Sequence, residues 1–186
     1  DVPTTLRERC IADLGEMNSL IDAVLDIFRA GSGPARDWQR VDIAALLQAL
    51  VDDHAEQGQP VRAAIPSQPL VLRCDALALR RIVDNLVANA LRYAGSAEVS
   101  LAQGREGVRI TVDDRGPGIA PERLADVLQP FVRLESSRNR ATGGAGLGLA
   151  IAHELTQGLG GTLSLSNRVG GGLSAQVLLP GERATA

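Results

Sequence analysis

Hydrophobic residues recur at helical spacing along one long stretch of the chain, residues 75–93. Asp75 is a residue type that caps helix N-termini, and neither glycine nor proline follows it before Gly95. Apolar positions three and four residues apart lie on one face of a helix, here Leu79, Ile82, Val83, Leu86 and Ala90. The pattern therefore predicts a helix that is buried along this face.

A second, polar stripe follows the same predicted helix. Asn85, Asn89 and Arg92 are spaced at i, i+4 and i+7, so they lie on one side of the helix. Two carboxamides offer oxygen ligands to a hard cation, and a guanidinium binds phosphate. A solvated helix face carries the same residue types, so the stripe alone does not decide between a site and a plain surface.

Shorter hydrophobic patterns predict the remaining elements. They indicate helices at 42–54, 121–128 and 146–159, short strands at 61–65 and 70–73, and antiparallel hairpins from 98–102 with 108–113 and from 162–166 with 173–179. The helices cluster apart from consecutive antiparallel strands. The predicted fold class is therefore α+β, a two-layer sandwich over residues 41–180 with helices on one face of a sheet.

The first 33 residues show a different pattern. A heptad-like seam of apolar residues predicts one long helix that needs a partner; its members are Cys10, Leu14, Met17, Ile21, Val24 and Phe28. A helix packed on its own domain is the alternative. Gly31 to Pro34 ends the run, so we assign residues 34–40 to a linker and residues 181–186 to a flexible tail.

Composition narrows the class of protein. The net charge is −3, which argues against a nucleic-acid partner. Cys10 and Cys74 have no metal or disulfide spacing, which favours a reducing cytosol. There is neither a signal peptide nor an apolar run of membrane-spanning length, so we expect the chain itself to be soluble.

Two glycine-rich segments carry the candidate chemistry. Residues 113–119 follow a predicted strand with a tight turn, where Asp114 offers a carboxylate to a ligand's amino group; a plain turn is the alternative. Residues 143–149 open a helix with glycines, which is typical of phosphate binding, although the Walker A and dinucleotide patterns are missing. Residues 134–142 between them form a long polar connector, interpreted as a lid or as a surface loop.

Four motifs in this order resemble the asparagine, first glycine, phenylalanine and second glycine boxes of sensor histidine kinases. They are Asn-x-x-x-Asn-Ala-x-Arg-Tyr at 85–93, Asp-x-Gly-x-Gly-Ile at 114–119, Pro-Phe-x-Arg at 130–133 and Gly-x-Gly-Leu-Gly-Leu at 144–149. The resemblance spans residues 41–180 and is closest to the osmosensor (EnvZ-like) subgroup. It implies the Bergerat-type ATP-binding sandwich that gyrase, a class of heat-shock chaperones and MutL also contain.

The resemblance also implies roles for single residues. Asn89 would ligate Mg²⁺ with help from Asn85, Asp114 would accept a hydrogen bond from the adenine amino group, and Phe131 would anchor the lid. The complete set implied for ATP binding is Asn85, Asn89, Arg92, Tyr93, Asp114, Gly116, Gly118, Ile119, Phe131, Arg133, Gly144, Ala145, Gly146, Leu147, Gly148 and Leu149. ATP and Mg²⁺ are thus the expected cofactors.

The N-terminal helix resembles the second helix of the family's dimerisation and phosphotransfer hairpin. The first helix, which carries the phosphoacceptor histidine, has no counterpart, and neither His54 nor His153 matches its motif. The implied function is transfer of the ATP γ-phosphoryl group to a histidine on that missing helix, for relay to a response regulator. The implied parent is a homodimer in the bacterial inner membrane, with this chain as a cytoplasmic domain.

Two other classes stay open at this stage. One is a degenerate nucleotide-binding module that dimerises without transferring phosphate. The other is a serine-directed kinase of the anti-sigma type, or an ATPase clamp, in the same superfamily. The intact Asn89, Asp114 and loop glycines argue against the first, and the heptad helix before the domain argues against the second.

Overall fold

Three α-helices pack against a five-stranded mixed sheet in the described residues, 37–132 and 146–181, of the computed structural model. The helices are α1 (Ile43–Glu56), α2 (Ala76–Ala94) and α3 (Gly148–Gly158). The strands are β1 (Gln39–Asp42), β2 (Val61–Ala64), β3 (Val71–Cys74), β4 (Ala97–Gly104), β5 (Gly107–Asp113), β6 (Thr162–Asn167) and β7 (Leu173–Pro180). The predicted N-terminal helix, and Arg133, Gly144 and Ala145, lie outside the described residues.

The large sheet has the strand order β2-β4-β5-β7-β6. Strand β2 runs parallel to β4, and the other neighbours in this sheet are antiparallel. Strands β1 and β3 form a separate two-stranded antiparallel sheet. The predicted α+β sandwich is confirmed, with one parallel pair that the hairpin patterns did not indicate.

Helix α2 lies against the sheet through the apolar face that its periodicity predicts. Each of the five predicted core residues of this face is at most 2% exposed, and they pack with sheet residues such as Val99, Ile110 and Val177, each 0% exposed. Burying an aliphatic side chain of this size contributes roughly 1.5–3 kcal/mol. The buried face therefore fixes the rotation of α2, and with it the direction in which the polar stripe faces.

Side-chain caps set the starts of the first two helices. The Asp42 carboxylate accepts hydrogen bonds from the backbone N–H groups of Ala44 and Ala45 at 3.1 and 3.3 Å. Asp75 caps α2 in the same way, with both bonds at 3.0 Å. An aspartate cap of this kind stabilises a helix by about 1 kcal/mol. Both predicted helix starts are therefore confirmed.

Some boundaries differ from the prediction. Residues 121–128 do not form one short helix but two 3₁₀ turns, Pro121–Arg123 and Asp126–Leu128, because so short a segment gains little from α-helical propagation. Helix α3 begins at Gly148 instead of residue 146, since Gly146 has φ 71° and cannot belong to a helix. Strand β1 was not predicted and begins within the residues assigned to the linker.

Candidate functional site

The polar stripe of α2 lies directly beside the start of α3. Asn85 donates a hydrogen bond through Nδ2 to the carbonyl of Arg81 at 2.8 Å, which leaves its Oδ1 as an acceptor. A β-carbon on Gly148 would lie 3.3 Å from this Oδ1. The glycine at the first position of α3 therefore allows the helix start to approach the Asn85 amide closely.

The N-terminus of α3 has no side-chain cap. Leu147 precedes the helix, is buried, and offers no hydrogen-bonding side chain to the first turn. The first backbone N–H groups of a helix lack partners within the helix, and the helix dipole places partial positive charge there. This end of α3 can therefore bind an anionic group such as a phosphate.

Further along the stripe, Asn89 is half-buried and Arg92 is exposed. Within the described ranges 37–132 and 146–181, neither side chain has a hydrogen bond or ion pair. Tyr93, at the C-terminal end of α2, is 45% exposed. Asn89, Arg92 and Tyr93 thus present polar and aromatic groups that form no hydrogen bond or ion pair in the described part of the protein.

Asp114 is one of two buried polar residues in the described part of the chain, at 7% exposure. Its Oδ1 accepts hydrogen bonds from the backbone N–H groups of Gly116 at 2.8 Å and Leu173 at 3.0 Å. No described residue donates to Oδ2. The carboxylate is therefore held through one oxygen and can accept a hydrogen bond from a ligand through the other.

The turn after Asp114 lies against the C-terminal end of α2. A β-carbon on Gly116 would lie 3.2 Å from the carbonyl oxygen of Tyr93 and 3.2 Å from Cβ of Ala94. The two glycine segments therefore contact α2 at two points, near Asn85 and near Tyr93. With a rise of ~1.5 Å per residue, these points are roughly 12 Å apart along the helix.

Two residues of this region were missed by the sequence analysis, Asn167 and Arg168. The Asn167 amide donates to the Ile119 carbonyl at 2.6 Å and accepts from the Ile119 N–H at 2.8 Å. Arg168 donates to the Asp114 carbonyl at 2.8 Å and pairs with Asp113, with 3.4 Å between Nε and Oδ2. In the sequence, Asn-Arg followed by three closely spaced glycines indicates only a turn.

Phe131 and Gly146 flank residues 134–142, which are interpreted as a lid and lie outside the described residues. The Phe131 N–H donates to the Gly146 carbonyl at 3.2 Å. Phe131 has φ 65°, a conformation that an aromatic residue rarely adopts, and its side chain is 66% exposed. The hydrogen bond brings the start of the Gly146–Leu149 segment next to the phenylalanine motif.

A network of charges joins α1 to α2 beside the stripe. Arg80 pairs with Asp53 and also with Asp84, whose Oδ2 lies 3.6 Å from Nε. His54 Nε2 lies 3.6 Å from Asp84 Oδ1. Burial raises the pKa of the Asp84 carboxyl, although Arg80 and His54 act in the opposite direction. His54 is thus packed between the two helices and makes contacts typical of a structural residue.

A cavity of about 260 Å³ lies elsewhere in the fold and shares no residue with the predicted site; it is lined by Trp38, Leu72, Arg73, Cys74, Leu159, Leu179, Pro180 and Gly181. Burial raises the pKa of the Cys74 thiol to about 11, and Asp75 adds to this effect. The thiol is therefore neutral at physiological pH and a poor nucleophile.

Two kinds of feature are missing from the part of the chain that the structure describes. No cluster of three or more His, Cys, Asp or Glu residues is placed to hold a metal ion. None of the helices in residues 37–132 and 146–181 combines the length and the hydrophobicity needed to cross a membrane. The candidate metal ligands in these residues are therefore the two predicted from the sequence, the carboxamide oxygens of Asn85 and Asn89.

Comparison with known proteins gives a consistent result. Residues 74–183 match the model of the family described as histidine kinase-, DNA gyrase B-, and HSP90-like ATPase. The sensor histidine kinase GtrS of Pseudomonas aeruginosa is 35% identical over 175 residues, which cover 94% of this chain and 36% of GtrS. The chain thus spans about a third of that relative's length.

Solved structures show the same similarity. The NMR structure of the histidine kinase domain of the E. coli osmosensor EnvZ is 32% identical, has a TM-score of 0.63, and is matched over 83% of this chain and 96% of that domain. The crystal structure of full-length ShkA in complex with AMPPNP has a TM-score of 0.74 at 27% identity, with coverage of 100% of this chain and 41% of ShkA.

Proposed function

This chain belongs to the histidine kinase-, DNA gyrase B-, and HSP90-like ATPase family as the ATP-binding catalytic domain of a sensor histidine kinase, and from that premise we propose how its residues work. ATP lies along the polar stripe of α2 with the adenine near Asp114 and the phosphates near the start of α3. The domain then supplies the γ-phosphoryl group to a histidine. The observation that carries this proposal is the contact of both glycine segments with one helix, at Asn85 and at Tyr93.

The adenine end depends on Asp114. Its Oδ1 is held by two backbone N–H groups, so Oδ2 is fixed in place to accept a hydrogen bond from the exocyclic amino group of adenine. Tyr93 offers an exposed ring at the adjacent end of α2 against which the base can pack. Gly116, Gly118 and Ile119 form the turn that lines this end.

The phosphate end depends on α2 and α3 together. The uncapped N-terminus of α3, from Leu147 to Leu149, binds phosphate oxygens through backbone N–H groups, and Arg92 adds a positive charge. Arg133, Gly144 and Ala145 lie outside the described residues, and their roles at the phosphates stay predictions.

The carboxamides of the stripe fit a magnesium ion. Asn89 has no hydrogen-bonding partner in the described part of the chain. The Asn85 amide uses Nδ2 to bind the Arg81 carbonyl, which leaves its Oδ1 available as an acceptor. Both residues therefore offer the oxygen ligands that Mg²⁺ prefers. Bound Mg²⁺ would neutralise charge on the phosphates. Asn89 is the main ligand in this proposal, and Asn85 shapes the site.

Phosphoryl transfer needs positioning and charge stabilisation more than covalent help from the protein. The residues described above hold the nucleotide, whereas neither described histidine is placed as the acceptor. His54 packs against Asp84, and His153 contacts Gln157 on α3, with 3.1 Å between Nε2 and Nε2. We therefore assign the acceptor to the first helix of a dimerisation hairpin.

The remaining parts of the proposal concern the parent protein. Residues 1–33 would be the second helix of that hairpin and would form a homodimer, and the phosphoryl group would pass to a response regulator. The parent would lie in the bacterial inner membrane with this domain in the cytoplasm. The sensor-kinase names of the relatives favour these assignments over a serine-directed kinase or an ATPase clamp.

A labelling experiment tests the transfer. The chain is incubated with Mg·[γ-³²P]ATP alone and together with a fragment that carries the acceptor helix. We expect nucleotide binding but no acid-labile, base-stable phosphate on this chain, and label in trans on the histidine of the fragment. Phosphohistidine at His54 or His153 would contradict the proposal. Nucleotide binding without transfer to the fragment would favour a degenerate binding module.

A further inference from the structure

We propose that Asn167 is a positioning residue of the adenine end, whose carboxamide holds the turn Gly116–Ile119 in the conformation that receives the base. This inference rests on the proposed function, because it concerns the same nucleotide site. Neither the sequence motifs nor the proposed ligand set includes Asn167, which lies at the end of β6.

The contact is reciprocal and joins distant parts of the chain. The Asn167 Oδ1 accepts a hydrogen bond from the Ile119 N–H at 2.8 Å, and its Nδ2 donates to the Ile119 carbonyl at 2.6 Å. The two residues are 48 positions apart in the sequence. One side chain thus satisfies both backbone groups of Ile119, as a neighbouring strand would.

The turn has few other anchors. The Gly116 N–H binds Asp114, but among the described residues no further hydrogen bond joins residues 117–119 to the rest of the protein. A β-carbon on Gly118, which has φ 74°, would lie 2.7 Å from the Asn167 Oδ1, so the turn lies directly on the amide. Without Asn167, residues 117–119, which include Gly118, would have no hydrogen bond to the rest of the described protein and would sample more conformations.

Asp114 is held by different groups. The Leu173 N–H donates to its Oδ1, and the Leu173 carbonyl accepts a hydrogen bond from the Asp114 N–H. Arg168 donates to the Asp114 carbonyl oxygen. Removing the Asn167 amide should therefore free the turn while Asp114 stays in place. Because ordering the turn would then accompany binding, the base would bind more weakly although its hydrogen-bonding partner is intact.

The test compares Asn167→Ala and Asn167→Asp with Ser166→Ala, an exposed position on the same strand. Hydrogen exchange of the Ile119 amide in the ligand-free protein reports the contact itself. Titration calorimetry with adenosine and with Mg·tripolyphosphate reports the base end and the phosphate end separately.

For Asn167→Ala we expect Ile119 exchange to become at least about tenfold faster and adenosine Kd to rise about tenfold, with Mg·tripolyphosphate Kd unchanged. Asn167→Asp keeps the acceptor for the Ile119 N–H but faces the Ile119 carbonyl with a second acceptor, so its effects should be intermediate. Ser166→Ala should match the wild type in all three measurements.

The outcomes separate this inference from the proposed function. If the wild type binds adenosine and Asn167→Ala binds it equally well, Asn167 is only structural and the inference is wrong, even if thermal stability or Ile119 exchange changes. Equal losses of adenosine and tripolyphosphate binding would also overturn it, because they would indicate general unfolding. If the wild type itself binds neither adenosine nor ATP, the proposed function fails, and this inference fails with it.

Discussion

The two ends of the α2 polar stripe are built in opposite ways. At the adenine end, backbone and side-chain groups of the protein hold Asp114 and its turn; they come from Gly116, Leu173, Asn167 and Arg168. The rest of the site lacks such support, because the stripe residues Asn89 and Arg92 have no polar partner among residues 37–132 and 146–181 and, at the phosphate end, no side chain caps α3.

This difference predicts that the two ends contribute different properties to nucleotide binding. A fixed acceptor such as Asp114 discriminates between bases, because a ligand without the matching donor leaves a buried charge unpaired. Unpartnered carboxamides and helix N–H groups instead gain their partners only when a charged ligand arrives. The adenine end should therefore set selectivity, and the phosphate end should set affinity for the metal-bound nucleotide.

The largest expected effect comes from Asn89→Ala at the phosphate end. Since Asn89 is the proposed metal ligand, the affinity for Mg·ATP should fall about a hundredfold, or about 2.8 kcal/mol at about 1.4 kcal/mol per factor of ten, while metal-free adenosine binding changes less than about twofold. Titration calorimetry with both ligands measures this. Gln48→Ala, which truncates an exposed carboxamide on α1, serves as the matched control. Equal losses for the two ligands would mean that Asn89 supports the fold and holds no metal.

The rigidity of the adenine end predicts a stability difference between two glycines of one turn. Gly172 has φ 104°, and a β-carbon there would lie 2.1 Å from the Asp114 carbonyl oxygen, whereas a β-carbon on Gly170, φ 91°, would meet nothing within 4 Å. Gly172→Ala should therefore lower the free energy of unfolding by about 2 kcal/mol more than Gly170→Ala does. Urea denaturation measures both variants. Equal losses would show that the turn moves freely and would remove the contrast between the two ends.

The sequence predicts the platform of the site well, because its signals are local. The helical spacing of Leu79, Ile82 and Val83 determines which face of α2 is buried, and the Asp75 cap determines where the helix starts. Together they determine the direction in which the polar stripe of α2 faces. The glycine segments are equally visible, since glycine is required wherever a backbone approaches another group closely.

The parts that the sequence did not predict depend on contacts between distant residues. Strand β1 has a single buried apolar residue, Val41, and exists because it pairs with β3, where Leu72 lies opposite. Asn167 binds Ile119 from 48 positions away, and a single polar residue at a strand end carries no periodic signal. Local patterns therefore indicate which residues could form the site but not which residues hold it in place.

A smaller effect is expected from Asp114→Asn, which tests selectivity at the adenine end. The amide oxygen can keep both backbone hydrogen bonds, but Nδ2 then replaces the free oxygen and presents a donor to the adenine amino group. The wild type should bind ATP well and GTP poorly, and the ratio of the two affinities should fall about tenfold in the variant. Competition binding with both nucleotides measures the ratio. A wild type that binds ATP and GTP equally would refute the assignment of Asp114.

The smallest effect is expected from Gly148→Ala, which adds one methyl group at the phosphate end. Alanine favours a helix over glycine by roughly 0.5–1 kcal/mol, so α3 itself gains stability. The new β-carbon would lie 3.3 Å from Asn85 Oδ1, an amide that its bond to Arg81 holds in place, so the stripe must shift slightly. We therefore expect Mg·ATP affinity to fall about threefold with adenosine affinity unchanged, while the thermal unfolding midpoint stays within a few degrees of the wild type. Calorimetry and thermal denaturation of the same samples separate the two quantities. A parallel loss of adenosine binding would show that the two ends of α2 are coupled, because a change beside Asn85 would then have reached the turn beside Tyr93.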